Sequence, residues 1–243
     1  MNPFSDEYVK REVNFFGLSS YNNGSIMIKS HELIGRYDDF FNVRYRTGEF
    51  VVPVFYIDGK LWMSLAPMEL QSHYLPIMDA SGYVGVAGLG MGYYALRIMA
   101  SKTVEKIDIY EINKRVVDYF RDCFSDREGF EKVNFIIGDA RELIRGKTYD
   151  FLYVDIYPEL CCNRCIDDIF LFRKNNEIDT IHVWGQEKVI KTAFENRMLS
   201  FNELAYGEKF LLKMWVDSEG YQLRDNYLDD KYCQEVLGAM ERL

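Results

Sequence analysis

The feature of this sequence that most restricts its fold is a regular alternation of strand and helix patterns that begins near residue 82. Runs rich in Val, Ile, Phe and Tyr are bounded by charged residues, and segments with helical spacing separate them. Such runs indicate parallel strands buried on both faces, and the helical segments are the crossovers that connect them. The pattern predicts an α/β fold with a doubly wound, mostly parallel sheet. Its core strands are expected at 82–87, 107–110, 133–137 and 151–155.

Before residue 67 the sequence carries signals for short antiparallel strands. The segments SIMIKS, FNVRYRT, EFVVPVFYI and LWMSL are rich in β-branched and aromatic residues, and Asp58-Gly59 between the last two is typical of a tight hairpin turn. These signals predict a small β-meander in a segment over 1–66. A second domain is expected over 67–243, beginning with a short helix at Pro67 and gaining an antiparallel edge from a hairpin near 208–224.

Three glycines stand where the first strand of the alternating region gives way to a helix. In VAGLGMGYY, Gly88, Gly90 and Gly92 let the backbone turn sharply and approach a ligand closely. The spacing is not the dinucleotide pattern G-x-G-x-x-G, because Tyr93 stands where its last glycine belongs. It is not the phosphate loop G-x-x-x-x-G-K-[ST] either, because the first lysine after the glycines is Lys102. The loop therefore favours a nucleoside with a positively charged sulfur. The alternative is a turn that packs helix on strand and binds nothing.

Acidic residues follow the next three strand patterns. Glu111 ends IDIYE about 20 residues after Gly88, an offset at which a carboxylate reaches ribose hydroxyls in this topology. Asp139 ends the next strand, where it could accept from an adenine amino group with the Ala140 amide as a neighbouring donor, and Asp155 ends the one after. One such acid alone is better explained by helix capping or solvation. Three at consecutive strand ends, opposite the glycines, predict a ligand site.

The motifs VGVAGLGMGYYA, IDIYEIN, FIIGDARELI and YDFLYVDIYP together resemble those of class I S-adenosylmethionine-dependent methyltransferases, most closely the spermidine-synthase-like branch. The resemblance covers roughly residues 82–160 and implies a Rossmann-like fold, S-adenosylmethionine or its decarboxylated form as cofactor, and a homodimer. It implies that Gly88, Gly90 and Gly92 contact the methionine moiety of the cofactor and that Glu111 binds the ribose, with Ile112 as a further contact. It also implies that Asp139 and Ala140 bind the adenine and that Asp155 lies at the reaction centre.

The sequence also departs from the aminopropyl-transferring members of that branch. Met91 replaces an Asp of their glycine loop, and Pro158 replaces the second acid of their D-x-x-D pair. The segment MELQSHY keeps only Glu69 of an acidic motif in the preceding helix, and Val86 stands where methyltransferases of this fold usually have an acid. Fewer carboxylates are left to hold a polyamine.

These observations predict a methyltransferase that acts on a small molecule, with an amine among the acceptors considered. The alternatives are aminopropyl transfer from decarboxylated S-adenosylmethionine, and a protein that binds the cofactor without turnover. Asp155 is the expected catalytic base, and Tyr157 and Glu159 are expected to contact the acceptor. Displacement at a carbon on a sulfonium needs positioning and a base but no metal, so no metal site is expected.

Cysteine and histidine suggest no separate chemistry. Cys162 and Cys165 have half the spacing of a zinc site, but no second pair completes it, so we interpret these residues and Cys161 as thiols. The three histidines are scattered along the chain, and their positions indicate no catalytic role: His31, His73 and His182.

Composition excludes several classes of partner. The formal net charge is −9, without a basic block, so the electrostatic footprint of a nucleic-acid-binding protein is missing. No apolar stretch reaches the roughly 20 residues of a membrane span, and the N-terminus lacks the apolar core of a signal peptide. The sequence therefore predicts a cytoplasmic protein with a small-molecule substrate.

Overall fold

A computed structural model describes residues 5–33, 36–38, 44–46, 50–158 and 164–186. The N-terminal elements are α1 (Asp6–Phe16), β1 (Ser20–Asn22), β2 (Ile26–Leu33), β3 (Arg36–Asp38), β4 (Arg44–Arg46), β5 (Phe50–Ile57), β6 (Lys60–Ser64), α2 (Pro67–Ser72) and α3 (Tyr74–Asp79). The remaining elements are β7 (Gly82–Ala87), α4 (Tyr93–Met99), β8 (Val104–Glu111), α5 (Lys114–Phe124), a 3-10 turn (Phe130–Lys132), β9 (Val133–Ile137), α6 (Ala140–Leu143), β10 (Thr148–Val154), α7 (Arg164–Asn175) and β11 (Glu177–Val183). The hairpin predicted at 208–224 lies outside the described residues.

The centre of the molecule is a five-stranded parallel sheet in the order β11-β10-β7-β8-β9. The chain runs outward from β7 through β8 to β9, then returns to the other side of β7 for β10 and β11. This is the strand order of a doubly wound, Rossmann-like and class I methyltransferase-like sheet, as predicted. Its order reverses between β7 and β10, which is where ligands bind in such sheets.

Successive residues of the central strands pack into hydrophobic clusters on opposite faces of the sheet. Phe151 and Tyr153 belong to one cluster with α4, α5 and the N-terminal sheet, whereas Leu152 and Val154 belong to the other with α6 and α7. Because side chains alternate along a strand, burial of both sets explains the unbroken apolar runs of the sequence. None of the helices in the described part of the chain has the length and apolar character needed to cross a bilayer.

The N-terminal segment forms the predicted antiparallel meander, with strands in the order β1-β2-β5-β6. Asp58 and Gly59 form the expected hairpin turn, and both have positive φ (51° and 74°), as a tight turn between twisted strands requires. The single helix expected from Pro67 is two short helices, α2 and α3, which meet at His73. The first cluster joins residues of this meander to residues of the parallel sheet, and the domain boundary near residue 66 stays a prediction.

Helix α1 was not predicted from the strand signals of this segment. Ser5 caps it by accepting from the Tyr8 amide at 3.2 Å. Its Glu12 is fully buried and accepts a hydrogen bond from Tyr93 of α4 at 2.7 Å. The same carboxylate forms ion pairs with Arg11 at 2.7 Å and with Arg97 of α4 at 3.3 Å. These contacts fix α1 against the helix that follows the glycine loop.

Candidate active site

A cavity of about 630 Å³ opens at the carboxyl ends of the parallel strands, where the strand order reverses. Its size is that of a typical small-molecule site, and its position is the ligand crevice of this fold. The structure brings together in its walls most of the residues predicted from the sequence: Gly88, Gly90, Glu111, Ile112, Asp139, Ala140, Asp155 and Tyr157. The hairpin of β5 and β6 contributes apolar residues to the same cavity, among them Phe55, Trp62 and Met63.

The three glycines have positive φ, and each has a close neighbour where a Cβ would be. At Gly88 (φ 93°) a Cβ would lie 2.0 Å from the backbone oxygen of Asp155. At Gly90 it would lie 2.9 Å from the Met63 sulfur, and at Gly92 2.4 Å from the Phe120 ring. Positive φ therefore favours glycine at all three positions, and at Gly88 a clash with backbone adds to it. Gly88 and Gly90 also line the cavity. A role of the loop in binding a methionine moiety stays a prediction.

Glu111 ties the ends of two strands together beneath the cavity. Its carboxylate accepts hydrogen bonds from the amides of Leu89 at 3.0 Å and Asn113 at 2.8 Å. Burial raises the pKa of Glu111, and these amide bonds offset part of that rise. The next residue, Ile112, is 71% exposed and lies along the cavity wall. A carboxylate held in this way can still accept from hydroxyl groups, because each oxygen has two lone pairs.

Asp139 caps the short helix α6, because its Oδ1 accepts from the Arg141 amide at 2.9 Å. Helix capping was the alternative explanation for an acid at the end of a strand, and it is part of the role of Asp139. Asp139 and Ala140 nevertheless line the cavity. Arg141 also lines the cavity, but Asp168 holds its guanidinium with two hydrogen bonds of 2.7 and 2.8 Å. The carboxylates of the cavity wall are therefore not neutralised by Arg141, whose charge is paired with Asp168.

Asp155 follows β10 directly, and its amide donates to Ala87 of β7 at 2.8 Å. Its side chain is 22% exposed and faces the cavity. Tyr157 also lines the cavity and is 9% exposed. Burial, followed by the charge of Asp168, raises the pKa of Tyr157 far above its ordinary value, so its phenol stays protonated. Glu159, Cys161 and Cys162 lie outside the described residues, and the assignment of Tyr157 and Glu159 to the acceptor stays a prediction.

The structure adds two residues to the site, Glu69 and His73; the sequence indicated Glu69 only as the acid retained from the family's acidic motif, and His73 had no predicted role. Both come from α2 and its junction with α3, and both are buried beside Asp155. His73 Nε2 lies 3.6 Å from Asp155 Oδ2, and His73 Nδ1 lies 3.7 Å from Glu69 Oε1. The sequence contained one indication that these two residues lie together: they are four residues apart in a predicted helix, which places both side chains on one face.

These three side chains, Glu69, His73 and Asp155, each offer one ligand atom within 4.8 Å of the others, as a metal site would. The two carboxylates, however, lie against opposite ring nitrogens, and Nδ1 is already 2.8 Å from the Glu69 carbonyl oxygen. One ion is bound by only one nitrogen of a histidine. We therefore interpret the cluster as two carboxylates that interact electrostatically with one imidazole, and the expectation of no metal stays a prediction.

Comparison with solved structures finds enzymes of related fold. A spermidine synthase in complex with the transition-state analogue AdoDATO matches 62% of this chain at 12% identity and a TM-score of 0.38. Spermidine synthase from Thermotoga maritima matches 64% at 14% identity and a TM-score of 0.39, and a putative RNA methyltransferase from Pyrococcus horikoshii matches 53% at 16% and 0.38.

The match spans little more than half of the two spermidine synthases, 55% and 57% of their chains, and 66% of the methyltransferase. No protein-family model matches the sequence, and no curated protein matches it. The structural likeness therefore concerns the fold alone.

Proposed function

We propose that this protein binds S-adenosylmethionine in the cavity above Gly88 and transfers its methyl group to a small-molecule nucleophile beside Asp155. The observation that carries the proposal is the meeting of Glu111, Asp139 and Asp155, from the ends of three parallel strands, in one cavity with the glycine loop. Carboxylates suit the hydroxyl and amino groups of an adenosine and the positive charge of a sulfonium.

The residues around the cavity fit each part of such a ligand. In this proposal Glu111, at the end of β8, binds the ribose hydroxyls, and Asp139 with the Ala140 amide binds the adenine edge; all three residues line the cavity. The exposed side chain of Ile112 offers apolar area to a ring between them. This division leaves Glu69 and Asp155 for the acceptor, at the side of the cavity nearest α2.

The bound sulfonium supplies an activated methyl carbon, and the chain has to supply orientation and a base. With that group bound, the acceptor would form a bond to the methyl carbon as the carbon–sulfur bond breaks with its electron pair returning to sulfur, and Asp155 would take the acceptor proton. One carboxylate and in-line placement are sufficient for this step. Trp62 and Met63 add apolar side chains to the wall of the same cavity.

Binding is the first test, by calorimetric titration with S-adenosylhomocysteine. We expect Glu111→Ala to weaken binding by about tenfold or more, because paired hydrogen bonds to the ribose are lost. Glu105→Ala is the matched control: Glu105 lies on the same strand but is exposed at its opposite end. Equal affinities of the wild-type and Glu111→Ala proteins, or no binding by the wild type, would rule out the proposed site.

Aminopropyl transfer from decarboxylated S-adenosylmethionine is the second candidate. The pair Glu69 and Asp155 is the observation in its favour, since two carboxylates can hold ammonium groups. Against it, Met91 is fully buried and adds no charge to the cavity, and burial raises the pKa of Glu69 to about 7. Burial therefore works against Glu69 as a second carboxylate that could hold a diamine.

Product mass distinguishes the two reactions. The protein is incubated with S-adenosylmethionine or decarboxylated S-adenosylmethionine and a panel of amines and phenols, and products are identified by mass spectrometry. We expect methylated product with the first donor and no aminopropylated putrescine with the second. Aminopropylated putrescine would reverse the ranking, and binding without any product would favour a non-catalytic binding protein.

A further inference from the structure

His73 occupies a fixed position between the cavity and the core. It is 2% exposed, and three tyrosine rings surround it with centroid distances of 5.7 Å to Tyr93, 6.0 Å to Tyr94 and 5.7 Å to Tyr153. Burial raises the pKa values of Tyr93 and Tyr94 well above the ordinary value, so these phenols stay neutral. The ring has little freedom to turn, because close-packed interiors hold side chains in single rotamers.

The Nδ1 side of His73 fixes the tautomer. Nδ1 lies 2.8 Å from the Glu69 carbonyl oxygen, which can only accept, so Nδ1 carries a hydrogen. The Ser72 hydroxyl donates to the same carbonyl at 2.7 Å and accepts from the Trp184 indole at 2.9 Å. The end of β11 thus supports the turn between α2 and α3 and, with it, the orientation of the ring.

The Nε2 side faces Asp155 Oδ2 at 3.6 Å. With Nδ1 protonated, a neutral ring would turn a lone pair toward a carboxylate, whereas an imidazolium would donate Nε2–H to it. Burial lowers the pKa of His73, but the Asp155 carboxylate at 3.6 Å and the Glu69 carboxylate outweigh it, so the pKa is raised. The two carboxylates are thus the charged groups that act on the ring.

We propose that His73 is the positioning residue of Asp155: as an imidazolium locked by the Glu69 carbonyl, it holds Asp155 Oδ2 and leaves Oδ1 to the acceptor. This inference rests on the proposed function, since it assigns a partner to the base of that reaction. His73 touches no substrate and acts through Asp155. His73 can hold Asp155 only while Nε2 carries a hydrogen, that is, while the ring is an imidazolium. Activity is therefore lost as the pH rises through the pKa of His73.

The first test is NMR of protein with 13C,15N-labelled histidine, which is simple because the chain has three histidines. We expect His73 to carry its hydrogen on Nδ1 in the neutral ring and its pKa to fall by about one unit or more in Asp155→Asn. His31 and His182 are internal references. An Nε2–H tautomer, an unchanged His73 titration in Asp155→Asn, or a His73 signal that responds to EDTA would overturn the proposal.

The second test uses S-adenosylmethionine with the panel acceptor that gives most product. His73→Gln keeps an N–H donor toward Asp155 but cannot titrate, so it should retain kcat within about threefold and lose the alkaline limb that His73 gives the wild type. His73→Leu should lower kcat by about tenfold. The same acceptor is used for both proteins, so its own ionisation affects both pH–rate profiles equally. If the alkaline limb of the pH–rate profile is the same in His73→Gln and in the wild type, the positioning role is wrong.

These tests separate this inference from the proposed function. The NMR titration needs neither donor nor acceptor, so it can succeed when S-adenosylhomocysteine fails to bind, which would remove the proposed function alone. Conversely, binding and turnover with an unchanged His73 titration in Asp155→Asn would remove the positioning role and leave the transferase intact.

Discussion

Asp155→Asn is expected to reduce turnover with S-adenosylmethionine by about 100-fold or more, the usual cost of losing a general base. Asparagine has nearly the same shape but cannot accept the proton of the acceptor. The contact that joins this residue to the glycine loop uses the Asp155 backbone oxygen, which the substitution leaves in place. The loss should therefore appear in kcat, measured with an acceptor from the panel, while S-adenosylhomocysteine affinity stays within about threefold.

The matched control for this prediction is Asp126→Asn. Asp126 is an exposed acid in the turn after α5 and lies outside the cavity walls. It should leave kcat and thermal stability unchanged, so it reports any effect of removing one negative charge from the whole molecule. Turnover of Asp155→Asn within about threefold of the wild type would show that Asp155 is not the base.

The sequence predicted the parallel sheet well because its strands are buried on both faces. Val84 and Val86 pack on one side and Ala87 on the other, so the whole segment had to be apolar. The meeting of Glu111 and Asp155 was also predictable, since all strands of a parallel sheet end at the same edge. These parts of the fold and the site follow from local composition and a general topological rule.

Other features depend on contacts between distant parts of the chain. Helix α1 was missed because Glu12, a charged residue, lies in its buried stripe with Tyr8 and Phe16, and only Tyr93 and two arginines make that burial tolerable. The spacing of Glu69 and His73 was visible, but the approach of His73 to Tyr153 of β10 and to Asp155 depends on tertiary contacts of the α2–α3 junction. A histidine without a known neighbour gives no reason to assign chemistry.

Gly88 shows the same limit and leads to the second large effect. The sequence indicated a ligand-binding turn, whereas the structure shows that the Asp155 backbone oxygen occupies the space a Cβ would need, 2.0 Å away. Gly88→Ala therefore combines a positive φ that alanine rarely adopts with a clash against backbone. Each term costs about 1–3 kcal/mol, so we expect roughly 3 kcal/mol or more of lost unfolding free energy.

Gly24→Ala separates these two terms. Gly24 has nearly the same positive φ (91°), but nothing lies within 4 Å of its added Cβ, so only the backbone strain remains, about 1 kcal/mol. Denaturant unfolding of both variants should therefore give a clearly larger loss for Gly88→Ala. If the two losses are equal, the close approach of β10 to the glycine loop is wrong. If the larger loss is found, the loop and the Asp155 backbone are packed as one unit, and any movement of the loop also displaces the proposed base.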